Sequence, residues 1–190
     1  MSRPLPLFAV LALLAVPVAG CGNERTPVPE VGAPTQRLGD NPISDPRAGF
    51  SLVAPAGWTV AAGAAPVVST ISSGTAIVSI LRYPRTEPLP KDREALDRAL
   101  NDLLAAAKAR DASFMPIKSA RAKLDGHPAL EIRATQTVAG VPRTVRSVHA
   151  YAFGAEVVVD MIAPNDSFRQ VDATFFRPLL RSMKLRAPTA

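Results

Sequence analysis

Cysteine is almost absent from this chain of 190 residues, and histidine and tryptophan are nearly as scarce. The sequence has one cysteine, two histidines and one tryptophan, and aromatic residues make up only 5% of it. A single cysteine excludes an internal disulfide, and so few thiols and imidazoles argue against a transition-metal centre. We therefore expect no metal and no cofactor.

Three sequence signatures of catalytic sites are also missing. The chain has no Gly-Lys-Ser/Thr phosphate loop, no Gly-x-Ser-x-Gly elbow and no His-Glu-x-x-His zinc motif. After the N-terminal segment, no apolar run reaches the roughly 18 residues that a membrane-spanning helix requires. The sequence therefore predicts a protein that is not an enzyme and that has no spanning helix in its main domain.

The first twenty residues predict an exported lipoprotein. Residues 5–18 are apolar, but they are too short and too interrupted by proline to span a membrane. They lead into Val18, Ala19 and Gly20, and the only cysteine of the chain, Cys21, follows. Small residues before a cysteine resemble the bacterial lipobox, in which the cysteine is lipidated and the signal peptide is cut before it. The alternative is an ordinary secretory signal that contains a cysteine.

Lipid on Cys21 would hold the protein at a membrane. A lipidated cysteine carries at least two acyl chains, and each buried methylene contributes about 0.8 kcal/mol, so the tether is stable. Residues 21–46 contain five prolines and no apolar periodicity, which predicts an extended linker. We predict an exported, lipid-anchored chain on the extracytoplasmic side of the cell membrane. Its parts are a signal peptide at 1–20, this linker, a domain at 47–186 and a tail at 187–190.

Positive charge exceeds negative charge along the chain. Lysine and arginine number 22, aspartate and glutamate number 16, and the formal net charge is +6. A basic surface favours anionic partners such as lipid headgroups or wall polymers. We expect no nucleic-acid partner, because an exported protein rarely meets one and the basic residues are not interleaved with aromatics. The predicted partners are the membrane, through Cys21, and an envelope protein.

Apolar periodicity predicts two amphipathic helices. Asp92 can cap the first helix. The second begins near Ser167, where Gln170 completes a capping box, and Pro178 should kink or split it. The apolar stripe of the first helix comprises Leu96, Leu100, Leu103, Leu104 and Ala107. The stripe of the second comprises Phe168, Val171, Phe175, Phe176, Leu179, Leu180 and Met183.

Short strands with turn signals between them fill most of the remaining domain. The pairs Asp125-Gly126, Ala139-Gly140 and Gly154-Ala155 separate four predicted strands. Several of these strands are apolar on both faces, which requires a cover on each side of the sheet. The fold class is therefore predicted as α+β, a three-layer α/β/α sandwich whose mostly antiparallel sheet has helices on both faces.

Three segments of the domain together resemble the PsbP/DcrB-like superfamily. Residues 50–58, Phe-Ser-Leu-Val-Ala-Pro-Ala-Gly-Trp, open the domain, and residues 125–129, Asp-Gly-His-Pro-Ala, form a hairpin. The third segment is the closing helix, with Phe168, Phe175, Leu179 and Ser182. This superfamily includes many small bacterial lipoproteins, some of the mycobacterial LpqN type. The resemblance implies an α/β/α sandwich, usually without catalysis, in proteins that assist or bind other proteins.

One polar pair is the best candidate for chemistry. If Gly154-Ala155 is a two-residue turn, the strand register places His149 opposite Asp160, with Ser147 on the same face. A carboxylate beside an imidazole can hold its tautomer for acid–base catalysis, and a nucleophile within reach in a cleft would indicate a hydrolase. The interpretation that we favour is a structural polar pair within a covered sheet.

The sequence thus predicts a non-catalytic, membrane-anchored accessory module of the cell envelope. It would dock a protein partner through a sheet edge or a loop end. The alternative is a carrier of a small apolar ligand, such as a lipid or an isoprenoid, held between helix and sheet. An open pocket lined by Leu100, Leu104, Phe175 and Leu179 would favour the carrier, and a solidly packed core would exclude it.

Overall fold

The computed structural model describes residues 38–189, which form ten strands and a few helices. The strands are β1 (Leu38–Asp45), β2 (Phe50–Pro55), β3 (Thr59–Ala62), β4 (Val67–Ser73), β5 (Ala76–Pro84), β6 (Met115–Leu124), β7 (His127–Val138), β8 (Val141–Ala152), β9 (Ala155–Pro164) and β10 (Lys184–Leu185). The helices are α1 (Arg93–Arg110), α2 (Phe168–Val171) and α3 (Arg177–Ser182), with a π-helical turn at Asp172–Phe176. The predicted signal peptide, the lipobox residues Val18, Ala19 and Gly20, and Cys21 lie outside the described residues.

Seven strands form one antiparallel sheet in the order β3-β4-β5-β9-β8-β7-β6. Its hairpin turns at Asp125-Gly126 and Ala139-Gly140 have positive φ at both residues, as type I′ turns require. These two turns were predicted from the sequence. The third turn lies one residue earlier than predicted, at Phe153-Gly154 rather than at Gly154-Ala155, and again both φ angles are positive.

A second, small sheet has the order β1-β2-β10. Gly49 lies where β2 begins, with φ +71°, and a Cβ there would lie 2.3 Å from the carbonyl oxygen of Arg186. Only glycine permits that close approach between the start of β2 and the end of the chain's last strand. The amide of Arg186 in turn donates to the carbonyl of Gly49 at 2.8 Å, which ties the two segments together.

Strand β1 falls within residues 21–46, the segment that the sequence predicts to be a linker. Ile43 pairs with Leu52 of β2, and its side chain packs against the main core. The prolines of this segment interrupt its apolar periodicity, so the sequence did not predict the strand. An edge strand nevertheless accepts proline. The domain therefore begins by Leu38, and the other predicted boundaries stay predictions.

Helix α1 begins as its sequence predicts. The Asp92 carboxylate accepts the amide N–H of Ala95 at 2.8 Å, which satisfies one of the free amides at the helix start. The predicted stripe faces one side of the larger sheet, where it packs against two buried clusters. These clusters contain Leu96, Leu130 and Tyr151 in one case, and Phe114, Ile132 and Ala134 in the other.

The C-terminal helix covers the opposite face of the sheet and is divided as predicted. Pro178 lies in the first turn of α3, and the preceding amide, from Arg177, donates to the carbonyl of Asp172. That hydrogen bond spans five residues, which is the spacing of a π-helical turn. It lies next to Pro178, which has no amide proton to donate. The predicted capping box at Ser167 and Gln170 is wrong, because Ser167 has helical dihedrals and its side chain caps no amide.

The prediction of a mostly antiparallel sheet is confirmed. The three-layer sandwich is confirmed only in part. Helix α1 covers one face mainly at β6 and β7, and on the other face the C-terminal helix shares its layer with the small sheet. None of the helices within residues 38–189 is long and apolar enough to cross a membrane.

The side chain of Phe176 is fully buried in the main core, between the C-terminal helix and the sheet. We predict that Phe176→Ala lowers the free energy of unfolding by about 3–5 kcal/mol, because the substitution leaves a cavity. Urea unfolding followed by circular dichroism measures the change. The control is Val60→Ala on β3, which is 44% exposed and should change stability by less than about 0.5 kcal/mol. Equal losses in the two variants would contradict this core.

Candidate functional site: the cleft between α1 and the sheet

A cleft of about 490 Å³ opens between α1 and the larger sheet. Because side chains alternate along a strand, every second residue of β8 and β9 points into it. The apolar side chains of its lining are Leu103, Phe114, Ile132, Val145, Val158 and Ile162. The polar side chains among them include Arg85, Ser147, His149, Glu156 and Asp160. The polar group contains both residues of the pair that the sequence predicted, together with partners that it did not.

The predicted pairing of His149 with Asp160 is wrong. The turn at Phe153-Gly154 shifts the register, so that His149 lies opposite Val158 and Ser147 lies opposite Asp160. The shift moves the pairing by two residues along β9, which leaves all of these side chains on the same face. Ser147 therefore lies between the histidine and the aspartate that were expected to meet.

A continuous chain of hydrogen bonds links polar side chains of the cleft. The Nδ1 atom of His149 lies 2.7 Å from Oε1 of Glu156, and its Nε2 lies 2.9 Å from Oγ of Ser147. The Ser147 hydroxyl in turn donates to Asp160, and Arg85 forms an ion pair with Glu156. We call these five residues the polar chain. Each of its members has a partner inside the protein.

Glu156 is the buried charge on which the polar chain depends. Burial opposes its ionised form, but hydrogen bonds from His149 and Arg85 outweigh burial and hold the pKa of this carboxyl below its usual value. Burial, with a contribution from the nearby Glu156 charge, raises the pKa of Tyr151 to about 12. Tyr151 therefore stays neutral beside the carboxylate at physiological pH.

The proton positions in the polar chain do not suit a serine nucleophile. A hydroxyl has one proton, and Ser147 donates it to the carboxylate of Asp160, which can only accept. The imidazole of His149 lies on the other side of the same hydroxyl. A nucleophilic serine would instead give its proton to the imidazole acting as general base.

The backbone at Ser147 also offers no free amide for an oxyanion hole. Ser147 lies inside β8, with Ile132 of β7 on one side and Asp160 of β9 on the other. The backbone amides at this position are therefore used by the two sheet ladders. An oxyanion hole needs donors that are free to bind the developing charge, and a strand paired on both edges supplies none.

The pocket predicted for an apolar carrier is not formed by the four residues proposed for it. Leu100 lies on α1, on one face of the sheet, whereas Phe175 and Leu179 lie in the packed core on the other. The cleft that does exist lies on the α1 face. Its lining mixes polar and apolar side chains.

Arg85 and Glu156 were not predicted from the sequence as members of the site. The signal for Glu156 is a single carboxylate at the start of β9, a strand whose next three residues are all valine. A charge in such a strand needs a buried partner. Arg85 carries no local signal, because it follows β5 in a loop, 71 residues from the glutamate.

No protein-family model matches this sequence, and no curated protein matches it. Solved structures do resemble the fold. Cyanobacterial PsbP (CyanoP) from Synechocystis sp. PCC 6803 has a TM-score of 0.60 at 14% identity, over 81% of this chain and 95% of that chain. The chain has a PsbP-like fold. The resemblance predicted from the sequence is thus confirmed for the fold.

Other proteins with this fold come from different organisms and have different described roles. LpqN, described as involved in cell envelope biogenesis of Mycobacterium tuberculosis, has a TM-score of 0.54 at 15% identity, over 77% of this chain and 90% of that one. The Saccharomyces cerevisiae Ran-binding protein Mog1p has a TM-score of 0.52 at 8% identity, over 80% and 97%. At these identities the similarity shows the fold alone.

The low pKa of Glu156 predicts a pH-dependent contribution to stability. The contribution is complete above about pH 4.5, the ordinary value, and disappears as the pH falls through the lower folded-state pKa. We expect Glu156→Gln to lower the free energy of unfolding by about 1–3 kcal/mol at pH 7, since bonds to a charged group are lost. The difference from the unmodified chain should shrink as the pH falls below 4.5.

Urea unfolding at a series of pH values measures this difference. The matched control is Glu94→Gln, which removes an exposed carboxylate paired with Arg98 on α1 and should have little effect at any pH. A Glu156→Gln deficit that does not change with pH would contradict the assignment of the low pKa to the polar chain.

Proposed function

We propose that this chain is a lipid-anchored, non-catalytic accessory module of the bacterial cell envelope, which binds an envelope protein. The observation that carries the proposal is the satisfied polar chain. Its candidate nucleophile, Ser147, gives its proton to Asp160 and lies in a strand that is paired on both edges. This arrangement supports a structural role for the polar chain.

Two independent observations support a location in the envelope. The sequence Val18-Ala19-Gly20-Cys21 matches a lipobox, and the fold resembles that of LpqN, a protein described as involved in cell envelope biogenesis. A lipid anchor also explains why a domain without a spanning helix in its described part would remain at a membrane. A small α/β/α domain can bind a protein partner through its sheet edges or its outer faces.

The edge strand β6 is the docking surface that we propose. It ends the larger sheet in the described structure, so one side of its backbone has no strand partner there. Met115 and Ile117 are 60% and 58% exposed at its beginning, and Lys118 and Lys123 are exposed along it. An extended segment that carries acidic and apolar side chains would extend the sheet and match this edge in charge.

A second function is favoured by the cleft itself. Its volume of about 490 Å³ lies within the range of small-molecule sites, and its lining combines apolar side chains with the polar chain. An adjoining groove of about 360 Å³ shares Arg85, Leu103 and Ala106 with it, which extends the space along α1. This geometry suits an amphipathic lipid or isoprenoid with its polar end on the polar chain.

The anchor is tested by replacing the sulfur that would carry the lipid. We predict that Cys21→Ser moves the protein from the membrane fraction to the soluble fraction, because the acyl chains supply the membrane affinity. Fractionation with immunoblotting measures the shift, and mass spectrometry of the unmodified protein should find the mature N-terminus at a diacylated cysteine. An unmodified thiol in the mature protein, or an unchanged fraction for the variant, would refute the anchor.

The docking edge is tested by photo-crosslinking in intact cells. A photoreactive residue at Ala120 on β6 should capture one envelope protein, and the control at Val60 on the opposite edge strand should capture none. The double substitution Met115→Ser/Ile117→Ser should abolish the adduct, because it removes the apolar contacts while it leaves the fold intact.

Two results would argue against docking at β6. The first is an adduct that survives Met115→Ser/Ile117→Ser. The second is the absence of any protein adduct combined with a lipid that copurifies with the chain and is expelled by Ala106→Trp. That second result would support the carrier function, since Ala106 lines both parts of the cleft along α1.

A further inference from the structure

The buried carboxylate of Asp172 gathers three arginines on the face opposite the cleft. Its Oδ1 accepts from Arg146 at 2.6 Å, and its Oδ2 accepts from Nε of Arg177 at 2.9 Å. Arg133 lies 3.5 Å from the same Oδ2. Glu131 accepts a further hydrogen bond from Arg146 at 2.7 Å. Two carboxylates thus hold three guanidinium groups in place, and one positive charge is left over.

A groove of about 390 Å³ runs beside these arginines, between α3 and the hairpin of β6 and β7. Its cationic lining, which we call the basic groove, consists of Lys123, Arg146, Arg177, Arg181 and Lys184. Only two carboxylates line it, and both already have partners. Asp125 accepts from Lys184 and from the amide of Leu185, and Glu131 accepts from Arg146.

The positive charge of the basic groove is available to a ligand. Arg181 and Lys123 are exposed and form no ion pair with any described residue. Lys184 pairs with Asp125, but its side chain is 56% exposed and can still face a ligand. Arg177 uses its Nε for Asp172, and its side chain is 52% exposed, so its terminal nitrogens face outward. A guanidinium whose orientation is fixed by a carboxylate on one side is preorganised to bind the oxygens of a phosphate on the other.

We infer that the basic groove binds the phosphate headgroups of anionic lipids and lays this face of the domain on the bilayer. A single face with a local excess of cations gains about a factor of five in membrane partition for each basic residue near the surface. Each such contact is weak, but several on one face give a measurable partition into anionic vesicles. A tether strengthens this binding further, because it raises the local concentration of headgroups.

The tether makes the lipid a better match than a free polyanion. The described chain starts at Leu38, 17 residues after Cys21, and its first strand pairs with β2, the same strand that β10 joins next to Lys184. The chain therefore enters the fold on the sheet that adjoins the basic groove. The inference uses the proposed lipid on Cys21 only for this local concentration.

The test uses the mature chain with Cys21→Ser, so that binding does not depend on acyl chains. Vesicles of phosphatidylcholine alone are compared with vesicles that also contain phosphatidylglycerol. We expect binding only to the anionic vesicles, weakened by added salt. Arg181→Gln/Lys184→Gln should lower the partition coefficient about tenfold or more. The control Lys91→Gln/Lys108→Gln, of equal charge on the α1 side, should stay within about twofold, because distant charges are screened.

Every outcome of this comparison decides for or against the inference. A selective loss in Arg181→Gln/Lys184→Gln, with the same thermal unfolding as the control, supports the basic groove. Equal losses in both double variants would show that only net charge matters and would overturn it. Binding to soluble heparin without binding to anionic vesicles would also overturn it, in favour of an acidic polymer or protein. None of these results depends on whether Cys21 is lipidated.

Discussion

The buried carboxylate of Asp172 joins the C-terminal helix to the larger sheet, and much of the structure depends on this contact. A charge that is 1% exposed is stable only when it is paired and fully hydrogen-bonded. Arg146 of β8 and Arg133 of β7 supply that pairing from the sheet, and Arg177 supplies it from the helix. The ion cluster therefore fixes where the π-helical turn lies on the sheet. The positions of Phe175 and Phe176, which belong to that turn, are fixed with it.

Strand β8 carries polar groups to both faces of the sheet. Arg146 points to the C-terminal helix and meets Asp172, whereas Ser147 and His149 point to the α1 side and join Glu156. Each buried carboxylate is thus matched by cations or donors from β8 or from the residues beside it. This arrangement separates two surfaces of different chemistry, a mixed cleft under α1 and a basic groove under α3.

Local signals were enough to predict much of the fold. The Asp92 cap, both apolar stripes and two of the hairpin turns follow from residues that are close in sequence. The position of the third turn depends on how two whole strands pair. The type I′ turn there places Phe153 at φ +49°, and a phenylalanine in the sequence does not indicate a positive φ. Ser147 and His149 were placed on the correct face, but Glu156 and Asp172 depend on arginines from distant segments, which no local pattern reveals.

The small sheet draws together segments that lie far apart in the chain. The amide of Val53 on β2 donates to the hydroxyl of Ser182, 129 residues later, and β10 then pairs along the other edge of β2. Because closing a long loop delays a contact, the pairing between β2 and β10 cannot form early in folding. For a chain synthesised from its N-terminus onward, β2 therefore keeps one edge without its strand partner until nearly all of the described residues have been made.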